Sequence, residues 1–454
     1  MNIKKVLTFS AGPLVAAFIG FVTTPILSWL YSSEDIGLYS LSISLISFTI
    51  IIFSVGMDSA YIREFHDVDS KDKLFSTCLI PTFLLLLALT AFVFFYFKEN
   101  ISILGFSSYE IHLLLFCSFL ATANRFLSLD LRMKEEALLY SAYLIINKFA
   151  VVAFLVGFYF FRDGNRASIF NSLLLSQILL LLYLLFFSKI KLTTTDLKFL
   201  DIKKYLRYGL PLVVSSTSYW AMMSSDKFII SYYLDVSAVG FYSVAQTLGA
   251  VFIIFQSILS IIWPPYIYKM DKLSTEIAIK KGYLWIDIML TGSIVLCVLF
   301  LLSINFILGL FPSKYASVID FLSFILLSSV VFTLSELVLI GMNVKKKTPV
   351  VMLITFVALI INISLSILLV DLFSLSGVAI ATLISFTVMF FLRLWGSAIF
   401  WGSERVLSIL SKMVLLYMIV LLWKFTPILI PLILMSLLLI FEFKKIKGFF
   451  SDEK

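Results

Sequence analysis

Apolar runs of about twenty residues follow one another from Thr8 to Phe443, separated only by short polar turns. A helix rises about 1.5 Å per residue, so a run of this length crosses a hydrocarbon core of roughly 30 Å. The pattern predicts about fourteen spans, near 8–30, 36–62, 76–97, 110–131, 137–161, 167–187, 206–231, 239–267, 283–311, 317–342, 350–371, 377–401, 406–424 and 425–443. Runs such as Leu84–Phe97 and Leu173–Phe187 lack the alternating polarity of barrel strands. In hydrocarbon each backbone N–H and C=O must be satisfied within its own segment, which makes the spans helices. The predicted fold class is an all-α polytopic membrane protein, with no stretch left over for an aqueous domain.

The longest polar connection, 188–205, carries Lys189, Lys191, Lys198, Lys203 and Lys204. Six spans precede it, six follow, and two more close the chain. An even number returns the chain to the same face, so a repeat of this kind is parallel, related by an axis along the membrane normal. The expected organisation is a six-helix lobe at 1–187, a basic linker at 188–205, a second six-helix lobe at 206–401, and two extra helices with a basic tail at 402–454. A repeated turn supports the duplication: Gly37-Leu-Tyr39-Ser40 recurs as Gly240-Phe-Tyr242-Ser243, each position 203 residues on. Each copy follows a helix with an early proline after a glycine, Gly12-Pro13 and Gly209-Leu-Pro211. With Pro25, Pro264 and Pro265, these prolines mark either packing kinks or bends used in a conformational cycle.

Composition agrees, with 61% apolar and 14% charged residues against about 45–50% and 25% in soluble domains. The formal net charge of +8 raises the question of nucleic acid, and its placement answers it. Lysine and arginine concentrate in the segments that share a side with the N-terminus, among them Lys4, Lys5, Arg63, Lys71, Lys73, Arg132, Lys134, the linker lysines, Lys345–Lys347, Lys412 and the tail. The other side holds only Lys98, Arg162, Arg166, Lys314 and Lys424. By the positive-inside rule both termini are cytoplasmic. The N-terminal run is long enough to span and shows no cleavage pattern, so it reads as a permanent helix. Cys78, Cys117 and Cys297 lie in apolar segments without paired spacing and read as small hydrophobes.

Ionisable residues at bilayer depth are costly, and they face either a partner or a polar cavity. Lys148, beside Asn147 at the middle of its span, is the sharpest case: it is either half of a buried ion pair or a cationic contact for an anionic substrate. Arg125, after Asn124, and Arg393 either snorkel or line a cavity. Lys227 follows Asp226, and the two point about 100° apart on the helix, so they meet different neighbours. Asp58, Asp226 and Glu336 are candidate proton or cation sites. Asp130 and Asp287 lie near helix ends and read as solvated. Tyr219, Trp220, Tyr232 and Tyr233 read as interfacial aromatics, with sugar stacking as the alternative. His66 and His112 have no partner at metal-ligand spacing, no phosphate-binding loop appears, and no cofactor is implied.

Three stretches carry a family resemblance: Leu30-Tyr-Ser-Ser-Glu-Asp-Ile-Gly37-Leu-Tyr39, Ser225-Asp226-Lys227-Phe228 leading to Val239-Gly240-Phe241-Tyr242, and Ser376-Gly377-Val-Ala-Ile-Ala-Thr-Leu-Ile-Ser385. With the topology, they make the chain resemble the polysaccharide transporters (O-antigen flippases) of the multidrug/oligosaccharidyl-lipid/polysaccharide exporter superfamily. The resemblance implies two lobes around a central cavity and an alternating-access flip of a polyprenyl-pyrophosphate-linked oligosaccharide across the bacterial inner membrane. It also implies a cationic cavity, suited to Arg125, Lys148, Lys227 and Arg393, of which only Lys227 lies inside a matched motif. The expected partners are the lipid-linked glycan, membrane lipids and other glycan-assembly membrane proteins, with no nucleic acid. Two rivals remain: a cation-coupled multidrug exporter of the same superfamily, disfavoured by the deep lysine, and a polysaccharide polymerase or ligase, disfavoured by short outer loops poor in acids, arginines and histidines.

Overall fold

The computed structural model describes residues 3–96, 104–162, 164–193 and 199–423, and every regular element among them is helical. Two compact units divide the chain, Met1–Ser243 and Val244–Lys454. The first holds α1 (Ile3–Leu30), α2 (Ser33–Phe53), α3 (Met57–Glu64), α4 (Lys71–Tyr96), α5 (Ser108–Met133), α6 (Ala137–Arg162), α7 (Arg166–Ser188), α8 (Phe199–Tyr233) and the first turns of α9 (Val236–Leu273). The second holds the rest of α9, then α10 (Thr275–Leu302), α11 (Ile304–Gly309), a 3-10 turn at Ser313–Val318, α12 (Ile319–Val338), α13 (Ile340–Val344), α14 (Thr348–Phe400) and α15 (Val406–Leu422). These helices overlie thirteen of the spans read from the sequence. The fourteenth, 425–443, lies outside the described residues, as do Lys98, Lys198, Lys424 and the lysines of the tail.

Several spans differ in detail. The stretch 36–62 is not one helix: Val55 (φ 50) and Gly56 (φ 74) both take positive φ and divide it into α2 and α3. The stretches 350–371 and 377–401 form α14, which is broken by the non-helical backbone of Ser374 (φ 51, ψ −131).

Local chemistry explains where the helices begin. Ser32 accepts the Asp35 N–H at 3.1 Å while Asp35 accepts the Ser32 N–H at 3.3 Å, a capping box that opens α2. Ser107 and Glu110 repeat the device at α5, and Asn165 caps α7 by accepting the Ser168 N–H at 3.1 Å. Within the spans, hydroxyls return to their own helix: Ser42, Thr122, Ser172 and Thr333 each donate to the carbonyl four residues back. In hydrocarbon this satisfies a polar group without help from water.

In the first unit, α1 and α6 approach closely at Gly12, where an added Cβ would sit 2.6 Å from Ser141 Cα. Farther along, the buried Tyr31 donates its hydroxyl to the Leu155 carbonyl at 2.8 Å. Burial and the nearby Asp35 carboxylate push the Tyr31 hydroxyl up to about 12, so it stays a neutral donor. The two copies of the repeated turn meet in space. A Cβ on Gly37 would collide with the Val236 carbonyl oxygen, and one on Gly240 with the Ser33 carbonyl oxygen. Ser243 donates to Ser40 Oγ at 2.8 Å across the same contact. Ser33 and Val236 are themselves 203 residues apart, so each copy packs on the other as two identical subunits would.

In the second unit, α12 packs along α14, and α15 packs along α10. The hydroxyls of Thr382 and Ser385 surround the buried Asn362 within α14, the Asn362 amide donating to Thr382 at 3.2 Å.

Candidate functional site

The break between α2 and α3 positions the first charged pair. Val55 is β-branched at positive φ, a conformation that costs roughly 1–3 kcal/mol and persists only where its surroundings enforce it. Gly56 follows because a Cβ there would collide with the backbone of Gly209 on α8. The new helix then starts with Asp58 in its first turn, where the partial positive charge of the helix terminus favours a carboxylate. Asp58 Oδ1 accepts the Ser59 N–H at 2.9 Å. Asp58 Oδ2 accepts two donors from Arg125 of α5, Nε at 2.9 Å and Nη2 at 2.6 Å. Asp58 is buried, whereas 47% of the Arg125 side chain is exposed.

Lys148 lies eleven residues from the start of α6, about 16 Å along its axis. It is exposed, and among the described residues it makes no hydrogen bond or ion pair. The register fixed by Gly12–Ser141 and Tyr31–Leu155 sets it about level with Gly20 of α1, beside which there is open space. Lys227, half-buried on α8, is likewise without a hydrogen bond or ion pair among the described residues. Its neighbour Asp226 is buried and accepts the Tyr242 hydroxyl at 2.7 Å, inside the repeated turn. Of the aromatics on α8, Trp220 packs against Phe48 of α2 with centroids 4.5 Å apart and planes tilted by 34°, while Tyr219, Tyr232 and Tyr233 are exposed.

In the second unit Arg393 is 3% exposed and bound by three residues: Glu336 Oε1 at 2.6 Å, Ser335 Oγ at 3.0 Å and Thr355 Oγ1 at 3.2 Å. The sequence-derived residues therefore sort into two ion pairs, Asp58–Arg125 and Glu336–Arg393, one carboxylate held by a tyrosine, Asp226, and two lysines with no hydrogen bond or ion pair among the described residues.

Two acids read as solvated are not. Asp130 is fully buried, accepting Lys134 Nζ at 2.7 Å and the Tyr61 hydroxyl at 2.9 Å. Asp287 is also fully buried, paired with Lys412 of α15 at 2.7 Å and accepting Ser408 Oγ at 2.9 Å. Asp130 does lie near the end of α5, but Tyr61 of α3 covers it, whereas α10 begins eight residues before the predicted span and so carries Asp287 twelve residues inside the helix. Lys412 stands six residues inside a predicted span, a position that signals a buried partner. At the end of the unit away from Lys71 and Lys134, Arg166 joins Glu110 (2.6 Å), Glu34 (3.5 Å) and the Gly105 carbonyl oxygen, tying the starts of α2, α5 and α7 together. Among the described residues no group of three or more His, Cys, Asp or Glu side chains gathers as metal ligands, and all three cysteines are buried and free.

Solved structures share the fold. The chain is similar to the lipid II flippase MurJ in an inward closed conformation, with TM-score 0.76 and 16% identity over 97% of this chain and 100% of that one. It is also similar to an inward-facing multidrug resistance MATE transporter of the MOP superfamily, with TM-score 0.67 and 15% identity, covering 90% and 96%. A MOP superfamily transporter from Pyrococcus furiosus, described as having a binding pocket of reversed polarity, aligns with TM-score 0.53 and 16% identity over 87% and 95%. The fold is that of the MOP superfamily transporters. No curated protein matches the sequence. The model of the family "Polysaccharide biosynthesis protein" matches residues 3–271, and the chain belongs to that family.

Proposed function

We propose that this protein is a flippase that carries polyprenyl-pyrophosphate-linked oligosaccharide units from the inner to the outer face of the bacterial cytoplasmic membrane by alternating access. The observation that carries this reading is Lys148: a cation at the middle of a spanning helix, exposed, with no carboxylate at hand among the described residues. A charge so placed is costly in hydrocarbon and is at home where a polar recess receives an anion. Membership of the polysaccharide biosynthesis family and the likeness of the fold to a lipid II flippase support this reading.

In this reading the six-helix lobes 1–187 and 206–401 alternate about the substrate, with both termini in the cytoplasm. Lys148 and Lys227 hold the pyrophosphate. Arg125 lies nearby in function but is already half neutralised by Asp58, and Arg393 is a buried strut bound to Glu336. Asp226 is the remaining ion-coupling candidate. An inside-negative potential also favours outward movement of an anion, by about 2.3 kcal/mol per charge per 100 mV.

The test is deletion of the gene followed by analysis of which membrane face holds the lipid-linked oligosaccharides. Complete units trapped on the cytoplasmic face with loss of surface glycan support the flippase. Normal glycan with raised sensitivity to cationic drugs supports a multidrug exporter instead, and units that reach the outer face unpolymerised support a polymerase or ligase.

A further inference from the structure

The Asp58–Arg125 pair differs in kind from the two lysines. Arg125 carries five N–H groups, and Asp58 Oδ2 takes two of them. Among the described residues the other three meet no acceptor, and the side chain is 47% exposed. The guanidinium is held through its two bonds to Asp58 Oδ2, and Asp58 is in turn anchored by the Ser59 N–H at 2.9 Å on its other oxygen. Tyr143 of α6 faces the same stretch of α5, near Arg125 and Ser128. The result is a fork of donors with a carboxylate behind it and a phenol nearby on α6.

This arrangement is poor at attracting an anion. The carboxylate sits so close to the guanidinium that its repulsion offsets roughly half of the attraction felt by an anion a few ångströms away. It is well suited to neutral hydroxyl groups, each of which accepts from a fixed N–H and donates to a carboxylate or phenol oxygen. A half-exposed ion pair at this depth also requires a polar recess in front of it rather than lipid. Arg125 lies eight residues from the end of α5, about 12 Å along the axis.

We propose that Asp58, Arg125 and Tyr143 form a net-neutral subsite that reads sugar hydroxyls of the cargo, with Asp58 as the positioning residue for the Arg125 fork, while the anion is held elsewhere by Lys148. The proposal rests on the flippase reading above. It divides the recognition of the cargo into a sugar-dependent part and a sugar-independent part, carried by different residues.

The test uses the purified full-length protein in nanodiscs and two probes, a polyprenyl pyrophosphate bearing a single N-acetylhexosamine and the same lipid without sugar. Wild type is expected to bind the glycosylated lipid about ten- to a hundredfold more tightly, the range for hydrogen bonds to a charged donor. The double variant Asp58→Asn/Arg125→Gln, which leaves no charge orphaned, is expected to bring the two Kd values together by weakening only the glycosylated lipid. Lys148→Gln is expected to weaken both lipids by the same factor. Arg125→Lys keeps the charge but not the fork, and is expected to reduce the preference without touching the bare lipid; it decides the matter if the double variant does not fold. Equal loss for both lipids in the Arg125 variants, no change for either, or a wild type that does not distinguish the lipids overturns the proposal. Failure of wild type to bind either lipid overturns the flippase reading itself.

Discussion

The buried pair Asp287–Lys412 gives the most quantitative prediction. Lys412 Nζ donates to Asp287 Oδ1 at 2.7 Å, to the Asp287 carbonyl at 3.3 Å and to Thr291 Oγ1 at 2.9 Å. The side chains are 8% and 0% exposed. Replacing Lys412 by Met removes the cation and leaves a carboxylate that no water can reach. Breaking a buried pair from one side costs about 3–5 kcal/mol. Asp287→Leu strands the ammonium and is expected to cost a similar amount. The double variant Asp287→Leu/Lys412→Met removes both charges and replaces them with side chains of comparable bulk, and such replacements are often neutral or stabilising. The expected result is two strongly destabilised single variants and a double variant within about 1 kcal/mol of wild type, a coupling well above the 0.5 kcal/mol or so within which independent sites add. The assay is equilibrium unfolding in mixed micelles, followed by tryptophan fluorescence. If Lys412→Met alone matches wild type, the pair is solvated and the account of how α15 is fixed to α10 is wrong.

Other consequences can be checked in parallel. Gly37→Ala and Gly240→Ala each force a methyl group into a backbone carbonyl and are expected to destabilise by about 1–3 kcal/mol, whereas Gly20→Ala, with nothing near it, is expected to be silent in the same unfolding assay. Ser40→Cys/Ser243→Cys places two thiols where the hydroxyls are 2.8 Å apart, within reach of disulfide geometry; a reductant-sensitive mobility shift on gels is expected, and its absence under oxidant argues against the contact. Tyr31→Phe removes the hydrogen bond to the Leu155 carbonyl and is expected to cost about 0.5–1.5 kcal/mol, because that carbonyl keeps its partner within α6. Lys148→Arg is expected to retain flipping in proteoliposomes and Lys148→Gln to lower it at least about tenfold, the loss of one charge-assisted contact.

The hydrophobic pattern by itself determined the helices, because hydrocarbon leaves a chain no other way to satisfy its backbone. It also placed thirteen of the spans, and the 203-residue spacing of Gly37 and Gly240 pointed to a duplication whose two copies are in contact. The candidate ionisable residues were visible as charges inside apolar runs, but their partners were not. Which carboxylate meets Arg125, and whether Lys148 meets any, depends on how helices far apart in sequence are rotated against one another. The positive φ at Val55 and the burial of Asp130 and Asp287 were hidden for the same reason. A membrane fixes the length and direction of each helix through the sequence, and only the packing of helix on helix decides which polar groups find each other.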